Sequence, residues 1–491
     1  MREWLHLKDL TTNQMFVLEE TTIAKLHAAI QSGAISCVEL IEQYLTQIEI
    51  LDRSLNAVIA INPDVLDEAR GLDVAFLKHG FVGPLHGVPV LLKDNCETAN
   101  MPTTAGSRSL EGFHTEQDAF LVKCLRDAGA LILAKTNLHE FAIWGETVSS
   151  LGGQTRNPYD LTRTPGGSSG GTGAAVAANL GLVGIGTDTV NSIRSPASAC
   201  CLCGIRPTIG LVSGSGVVPY SLTQDTAGPM ARTVEDAVRV LDVIAKLEAA
   251  RLENDRPVSY TAHLKVDGLK GKRLGVLCSF FGTEEVNQSV NGIMDHAMAL
   301  MKASGATLVP LDDHMDAAWL TRDVSVHLHE LKVHLEAYLA SFADKVPVRS
   351  VEDILASGKY TAGIEENLRI ANTLGVDTSE YDVRLQKRKE IQRDVMDILD
   401  RNHLDALVFP HQQQLVCKIG DSQQQRNGAL GSVTGFPAIV VPAGFTSPDE
   451  QAPLGVPVGL ELLGRAWDEG RLIEIAYGFE QGLPVRVAPK L

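Results

Sequence analysis

Two serine-bearing turns on either side of a small-residue segment are the part of this sequence best suited to chemistry. The first turn, residues 166–171, places Ser168 and Ser169 between glycine pairs. Glycines let the backbone reach positive φ and approach a ligand closely, and serine hydroxyls can relay a proton. Ser192 follows 24 positions after Ser168, behind a second tight segment at residues 186–191. The pattern predicts a nucleophile site.

Glycine-rich stretches also bind phosphate groups, so this alternative has to be weighed. A Walker loop requires a lysine followed by Ser or Thr after its spacer, and no lysine lies between residues 164 and 196. The residues around Ser168 match the GxSxG pattern of serine hydrolases that use a histidine base, but no strong buried strand precedes them in the sequence. A lysine kept neutral by burial is another known base for a serine nucleophile.

The elements around these turns indicate an α/β protein. Capping signals open two helices, near residues 23–30 and 37–48, before an apolar strand at residues 87–92. Lys93 lies at the carboxyl end of that strand, where open α/β sheets hold their sites. Strand and helix patterns continue past residue 300, become purely helical between about 315 and 400, and return to strands near 406–409, 438–441 and 457–463. We therefore predict one large domain with a helical insertion.

Composition narrows the class of function. The chain has 491 residues and a formal net charge of -17, with 44% hydrophobic and 21% charged residues. An acidic balance argues against nucleic acid as a partner, because that partner requires a basic patch. The N-terminus lacks the apolar core of a secretory signal, and no run of about 18 apolar residues predicts a membrane span. We expect a cytoplasmic protein with reduced thiols.

Two clusters of potential metal ligands have simpler interpretations. Residues 200–203 (CCLC) contain a CxxC pair, but no second Cys or His pair follows at ligand spacing. Residues 326–339 (VHLHELKVHLEAYL) contain three histidines without an HExxH arrangement, and their leucines form an ordinary apolar stripe. We predict buried thiols, an amphipathic helix and no metal.

Four blocks, in order, resemble the amidase signature family of hydrolases. They are HGVPVLLKDN (residues 86–95), GGSSGG (166–171), GTDxxxSIRSPA (186–197) and GIRPTIGLVS (204–213). Weaker matches extend from the N-terminal helices to residue 465, and only the 315–400 region is poorly covered. The resemblance implies a single amidase domain over residues 1–491, layered α/β/α around a mixed central sheet. Within it, residues 60–240 would form the signature core, and the helical insertion at 315–400 would line the substrate pocket.

The resemblance also implies a Ser-cisSer-Lys triad. Ser192 would be the nucleophile and Lys93 the base, with Ser168, preceded by a cis peptide bond, as the relay between them. Ser169 would help to hold the lysine, and neither a metal nor an organic cofactor is implied. Asp188 and Arg194 match family positions that would support the turn. The expected oxyanion hole consists of the backbone N–H groups of Thr189, Val190, Asn191 and Ser192.

Val190 and Asn191 depart from the family pattern, which commonly has Gly or Ala at the first position and often Gly at the second. Asn tolerates left-handed geometry, but a β-branched Val at positive φ would be strained. Two interpretations stay open: the turn differs locally, or Val190 narrows the acyl pocket. Residues 101–107 and 144–150 are expected to contribute further pocket walls.

The leading hypothesis is an amidase that hydrolyses a small or medium carboxamide to a carboxylate and ammonia or an amine, through an acyl-enzyme on Ser192. An alternative within the resemblance is the glutaminase subunit of an amidotransferase, which would act with a partner chain. A binding protein without enzymatic activity is the alternative from another class, and the Val190-Asn191 departure is its motivation. The sequence leaves a homo-oligomer open.

Overall fold

A mixed sheet of 11 strands forms the centre of the molecule. The computed structural model describes residues 16–245, 259–342 and 345–491. The strands are β1 (Val58–Ile61), β2 (Pro89–Lys93), β3 (Leu131–Thr136), β4 (Val148–Ser149), β5 (Gly153–Gln154), β6 (Val183–Asp188), β7 (Cys203–Arg206), β8 (Thr226–Ala231), β9 (Arg273–Leu277), β10 (Thr307–Leu311), β11 (Ala406–Pro410), β12 (Ala438–Phe445) and β13 (Pro457–Leu463). The central sheet runs β1-β3-β2-β6-β8-β7-β12-β13-β11-β9-β10, and β4 pairs separately with β5.

Helices of very different length connect these strands. The first two begin with side-chain caps, Thr22 and Ser36, and the second has the complete capping box that the sequence predicts. The helices are α1 (Ile23–Ser32), α2 (Cys37–Leu55), α3 (Val65–His79), α4 (Phe120–Asp127), α5 (Gly170–Ala177), α6 (Arg194–Ala199), α7 (Val234–Ile244), α8 (Gln288–Ala303), α9 (Ala317–Trp319), α10 (His327–Ala340), α11 (Val351–Ser357), α12 (Glu365–Thr373), α13 (Ser379–Arg401), α14 (Ala429–Thr434) and α15 (Glu469–Gly482).

Strand direction brings the candidate residues to one edge of the sheet. β2 lies between β3 and β6 and is parallel to both. Carboxyl ends of parallel neighbours meet at the same edge, so Lys93 at the end of β2 lies beside Asp188 at the end of β6. Every residue of both strands is buried, which agrees with their continuous apolar runs.

The C-terminal strands complete the same sheet. β12 pairs with β7 in antiparallel orientation, and β13 joins β12 to β11, which is followed by β9 and β10. The predicted α/β fold with a mixed central sheet is therefore confirmed. The insertion is helical from α9 to α13, and α10 buries Leu331, Leu335 and Leu339 of its predicted apolar stripe.

Candidate active site

Lys93 is a fully buried lysine that points its amine at a serine. Its Nζ donates to Ser168 Oγ at 2.7 Å and to Thr187 Oγ1 at 2.8 Å. Burial lowers the pKa of Lys93 to about 7, although the nearby carboxylates of Asp188 and Asp225 favour its charged form. An amine with a pKa near neutrality is suited to accept and return a proton.

The first serine turn holds Ser168 against this lysine. The peptide bond between Gly167 and Ser168 is cis, as the resemblance predicts. The Ser168 carbonyl accepts a hydrogen bond from the His139 N–H at 2.9 Å. Ser169 opens α5 and contacts the lysine only indirectly, because its hydroxyl donates to the Thr187 carbonyl at 3.1 Å. Thr187, which the sequence did not single out, is thus bonded to the lysine and to Ser169.

The two serine turns are joined directly. The Ser169 N–H donates to the Ser192 carbonyl at 3.2 Å, so the turn that holds Ser168 and the turn that holds Ser192 share a hydrogen bond. Gly166 makes this approach possible: it has φ +71°, and a Cβ on it would lie 2.9 Å from the Ser195 carbonyl oxygen. Ser168 is fully buried and Ser192 is 4% exposed, so both hydroxyls lie below the protein surface.

The turn before Ser192 carries Val190 and Asn191 without the strain that the sequence suggested. Neither residue is among the described non-glycine residues with positive φ. Val190 packs against the apolar cluster that contains Leu320. Asn191 fits because its neighbour is a glycine: a Cβ on Gly428 would lie 2.5 Å from the Asn191 Cβ. Both residues therefore fit this turn with ordinary backbone angles, and the strain that a positive φ would impose on Val190 does not arise.

Two carbonyl groups of this turn accept hydrogen bonds from side chains. The Thr189 carbonyl accepts from Ser432 Oγ at 2.5 Å, and the Val190 carbonyl accepts from Arg194 Nη2 at 2.6 Å. Within residues 16–245, 259–342 and 345–491, the N–H groups of Val190, Asn191 and Ser192 donate no hydrogen bond. Unpaired N–H groups at this position are what the predicted oxyanion hole requires.

A buried network of charges supports the turn. Asp188 accepts from Arg194 Nε at 3.1 Å, from Arg206 Nη1 at 2.8 Å and from the Ile193 N–H at 3.1 Å. Burial alone would raise the pKa of Asp188, but the two guanidinium groups hold it well below its usual range. Asp188 is therefore ionised over the whole physiological range.

Arg194 continues this network toward the C-terminal strands. It forms an ion pair with Glu461 on β13, and Glu461 also lies 2.6 Å from His411 Nδ1. All of these side chains are fully buried. The sequence pattern predicted supporting roles for Asp188 and Arg194 but not for Glu461. A single acidic residue in the apolar run PVGLELL was the signal that could have indicated Glu461.

The Arg194→Met variant is expected to lower the free energy of unfolding by about 3 to 5 kcal/mol, because it leaves the buried carboxylates of Asp188 and Glu461 short of a partner. Urea denaturation followed by circular dichroism measures the loss. The matched control is Arg369→Met, which removes an exposed ion pair with Glu365 and is expected to change the free energy of unfolding far less. Equal losses in the two variants would contradict the role of the network.

A cavity of about 450 Å³ opens beside the site. Its inner wall includes Asn95, Thr187 and Thr189, and Thr187 bonds to the lysine. Apolar side chains from one segment, residues 209–227, form most of the remaining wall. None of the described residues in 101–107, 144–150 or 315–400, the expected pocket walls, lines this cavity. The apolar members of the wall include Ile209, Val212, Val217, Val218, Tyr220 and Leu222.

The helical insertion contacts the outer side of this wall. The buried carboxylate of Glu330 on α10 accepts from Ser221 Oγ at 2.6 Å and from Thr223 Oγ1 at 2.9 Å. The Leu222 N–H donates to His334 Nδ1 at 3.1 Å. One of the three histidines that invited a metal interpretation thus binds the cavity wall.

The cysteine cluster is part of the core. Cys200, Cys201 and Cys203 are fully buried, and burial raises the pKa of the Cys201 thiol to about 11. Among the residues that the structure describes, no group of three or more His, Cys, Asp or Glu side chains is arranged to hold a metal ion. In the same part of the chain, every helix is too short or too polar to cross a membrane.

Comparisons with known proteins identify the family of this chain. The Amidase family model matches residues 39–473. A protein described as a probable amidase of Arabidopsis thaliana is 36% identical, over 97% of this chain and 92% of the relative. A glutamyl-tRNA(Gln) amidotransferase subunit of Acinetobacter baumannii is 33% identical, over 94% of this chain and 96% of the relative.

A solved structure extends the likeness to the whole fold. The native peptide amidase of Stenotrophomonas maltophilia superposes with a TM-score of 0.86 at 38% identity, covering 96% of this chain and 99% of that protein. The chain belongs to the amidase family, that is, to the amidase signature hydrolases. It is an enzyme that hydrolyses amide bonds.

Proposed function

We propose that this enzyme cleaves a small or medium carboxamide through an acyl-enzyme on Ser192, with Lys93 as the base acting through Ser168. The observation that carries the proposal is the 2.7 Å contact between Lys93 Nζ and Ser168 Oγ in a buried site. Burial, which lowers the pKa of Lys93 to about 7, makes the neutral amine accessible near physiological pH. No metal or organic cofactor enters the proposed reaction.

The proposed reaction begins with a proton moving from Ser192 to Ser168 as Ser168 gives its own proton to Lys93. The Ser192 oxygen attacks the amide carbon, and the resulting oxyanion accepts hydrogen bonds from the backbone N–H groups of residues 189–192. The ammonium of Lys93 returns a proton through Ser168 to the departing nitrogen, which leaves as ammonia or an amine. Water then attacks the acyl-enzyme by the same proton route, and the carboxylate is released.

The cavity beside Thr187 and Thr189 is the proposed acyl site. Its apolar wall favours a branched aliphatic or aromatic acyl group over a charged one, because apolar burial contributes about 25 cal/mol per Å². Asp225, the acidic residue of the wall, already accepts from Thr189 Oγ1 at 2.6 Å and from the Tyr220 and Ser221 N–H groups.

The Val218→Trp variant is expected to lower kcat/KM for an arylacyl amide by about 10-fold or more, because an indole would fill part of the cavity that the acyl group occupies. The rate with acetamide should change by less than about 3-fold. Steady-state kinetics on both substrates measures the ratio. Val266→Trp, at an exposed position, is the matched control. An equal loss on the two amides would contradict the acyl-site assignment.

The glutaminase subunit remains a second candidate, because the amidotransferase subunits are similar to this chain over nearly its whole length. The purified chain alone separates the two functions. We expect it to hydrolyse members of a panel of aliphatic, aryl and peptide amides without a partner. Hydrolysis of glutamine only after a partner chain is added would favour the amidotransferase instead.

A further inference from the structure

Gln224 connects the helical insertion to the turn that precedes Ser192. It is fully buried between the sheet and the insertion. Its Nε2 lies 2.7 Å from Ser432 Oγ, 3.0 Å from Ser325 Oγ and 3.3 Å from the Thr189 carbonyl oxygen. Its Oε1 accepts from the Val326 N–H at 2.7 Å and lies 3.1 Å from Ser325 Oγ. The side-chain amide thus links Thr189, in the turn before Ser192, to Val326 at the start of α10, more than 100 positions later in the sequence.

The orientation of this amide follows from its partners. A backbone N–H can only donate, so the atom that faces Val326 must be the carbonyl oxygen of the Gln224 amide. The NH₂ group therefore faces the Thr189 carbonyl, which can only accept. Ser432 completes the arrangement, because its hydroxyl accepts from Gln224 and donates to the same Thr189 carbonyl at 2.5 Å.

We propose that Gln224 is a positioning residue for the oxyanion hole, a role that rests on the proposed function. In a trans peptide unit the C=O and the next N–H point in opposite directions. Holding the Thr189 carbonyl therefore fixes the direction of the Val190 N–H. Arg194 holds the Val190 carbonyl and so fixes the Asn191 N–H in the same way.

The groups that hold positions 189 and 190 come in part from distant segments of the chain. Gln224 is itself anchored, because its carbonyl accepts from Arg206 Nη2 at 2.9 Å and its N–H donates to the Ser221 carbonyl. The insertion holds the same loop through Glu330 and contributes the Val326 N–H. The insertion thereby acts on the reaction centre through the oxyanion turn.

Gln224→Met tests the proposal, because methionine keeps the length of the side chain and removes both hydrogen-bonding groups. A single oxyanion donor is worth about 10²- to 10³-fold in kcat, so losing its support is expected to lower kcat by about 10- to 100-fold. KM should stay within about 3-fold, because the acyl cavity is unchanged. Gln386→Met, the same substitution on the exposed face of α13, is the control.

A transition-state probe separates positioning from general loss of structure. An aldehyde analogue of the best amide forms a tetrahedral adduct whose oxygen lies in the oxyanion hole. Its inhibition constant in Gln224→Met should rise by the same factor by which kcat/KM falls. Ser432→Ala, which removes the other donor to Thr189, should show the same parallel loss, and it decides the matter if Gln224→Met does not fold.

The outcomes are distinct. An active wild type together with unchanged kcat and aldehyde affinity in Gln224→Met and Ser432→Ala would overturn the positioning role and leave the proposed function intact. A lower melting temperature with unchanged kcat would overturn it equally, since a purely structural residue behaves in that way. A wild type that neither hydrolyses the amide panel nor binds the aldehyde would overturn both proposals.

Discussion

Replacing Ser192 by alanine is expected to lower kcat for amide hydrolysis by about 10⁴-fold or more, since the acyl-enzyme loses the oxygen on which it forms. The substitution removes one atom at a site that is 4% exposed, and the backbone contact between the Ser169 N–H and the Ser192 carbonyl is retained. Substrate binding should therefore persist while turnover stops. Initial-rate measurements on the best amide of the panel quantify the loss.

Covalent labelling tests independently whether Ser192 is the nucleophile. A fluorophosphonate should attach to Ser192 in the wild type and fail to attach in Ser192→Ala, as read by mass spectrometry of the peptides. Ser357→Ala, at the end of α11, is the control and should label fully. An adduct on Ser168 in the wild type would reverse the assignments of nucleophile and relay. No adduct on a folded wild type would favour the binding protein without enzymatic activity.

Lys93→Met is expected to lower kcat by about 10²- to 10⁴-fold, the usual contribution of a general base. In the wild type the rate should rise as the pH increases through about 7, because only the neutral amine can accept the serine proton and burial lowers the pKa of Lys93 to that value. Burial raises the pKa of Asp225 to about 6, so this carboxylate also titrates at the acidic end of the profile. The measurement is a kcat profile between about pH 6 and 9.

The same variant, Lys93→Met, should have a higher melting temperature although its kcat falls. The pKa of Lys93 is lowered in the folded state from an ordinary value of 10.5, so the unfolded chain binds the additional proton between about pH 7 and 10.5. Burying Lys93 therefore lowers the free energy of unfolding most at the acidic end of this window, and this penalty decreases as the pH rises. Lys93→Met should raise the melting temperature more at pH 7 than above pH 10.

The exposed Lys270→Met variant is the control for both measurements and should change neither rate nor melting temperature. A flat rate profile across the range would argue against Lys93 as the base. A melting temperature that falls in Lys93→Met at pH 7 would show that the charged lysine stabilises the fold, contrary to its burial.

Much of the chemistry followed from short segments of sequence. Lys93 comes at the end of an apolar run, and Ser168 and Ser192 lie in glycine-rich turns, so residue type and spacing were enough to indicate them. The structure brings Lys93 and Ser168 into contact at 2.7 Å because the Ser169 hydroxyl bonds the turn before α5 to Thr187 on β6, the strand beside β2. Their catalytic roles stay predictions that the variants above test.

Three strands of the sheet, β1, β7 and β8, were not predicted from the sequence. β1 and β7 are four residues long, and β8 contains Gly228 and Pro229, which are disfavoured in strands. β8 nevertheless lies between β6 and β7 in the centre of the sheet. Pairing with neighbours on both sides outweighs its weak propensity, and a sequence window does not contain those neighbours.

The sequence alone therefore led to the family, the α/β architecture and the candidates Lys93, Ser168 and Ser192, because each was indicated by short local motifs. Tertiary structure alone supplied the partners of the turn before Ser192: Gln224, Ser432 and Glu461 lie tens to hundreds of positions from Val190 and Asn191. It also showed that Val190 keeps an ordinary φ. Hydrogen bonds across the fold hold that turn, and their geometry exists only once the sheet and the insertion have come together.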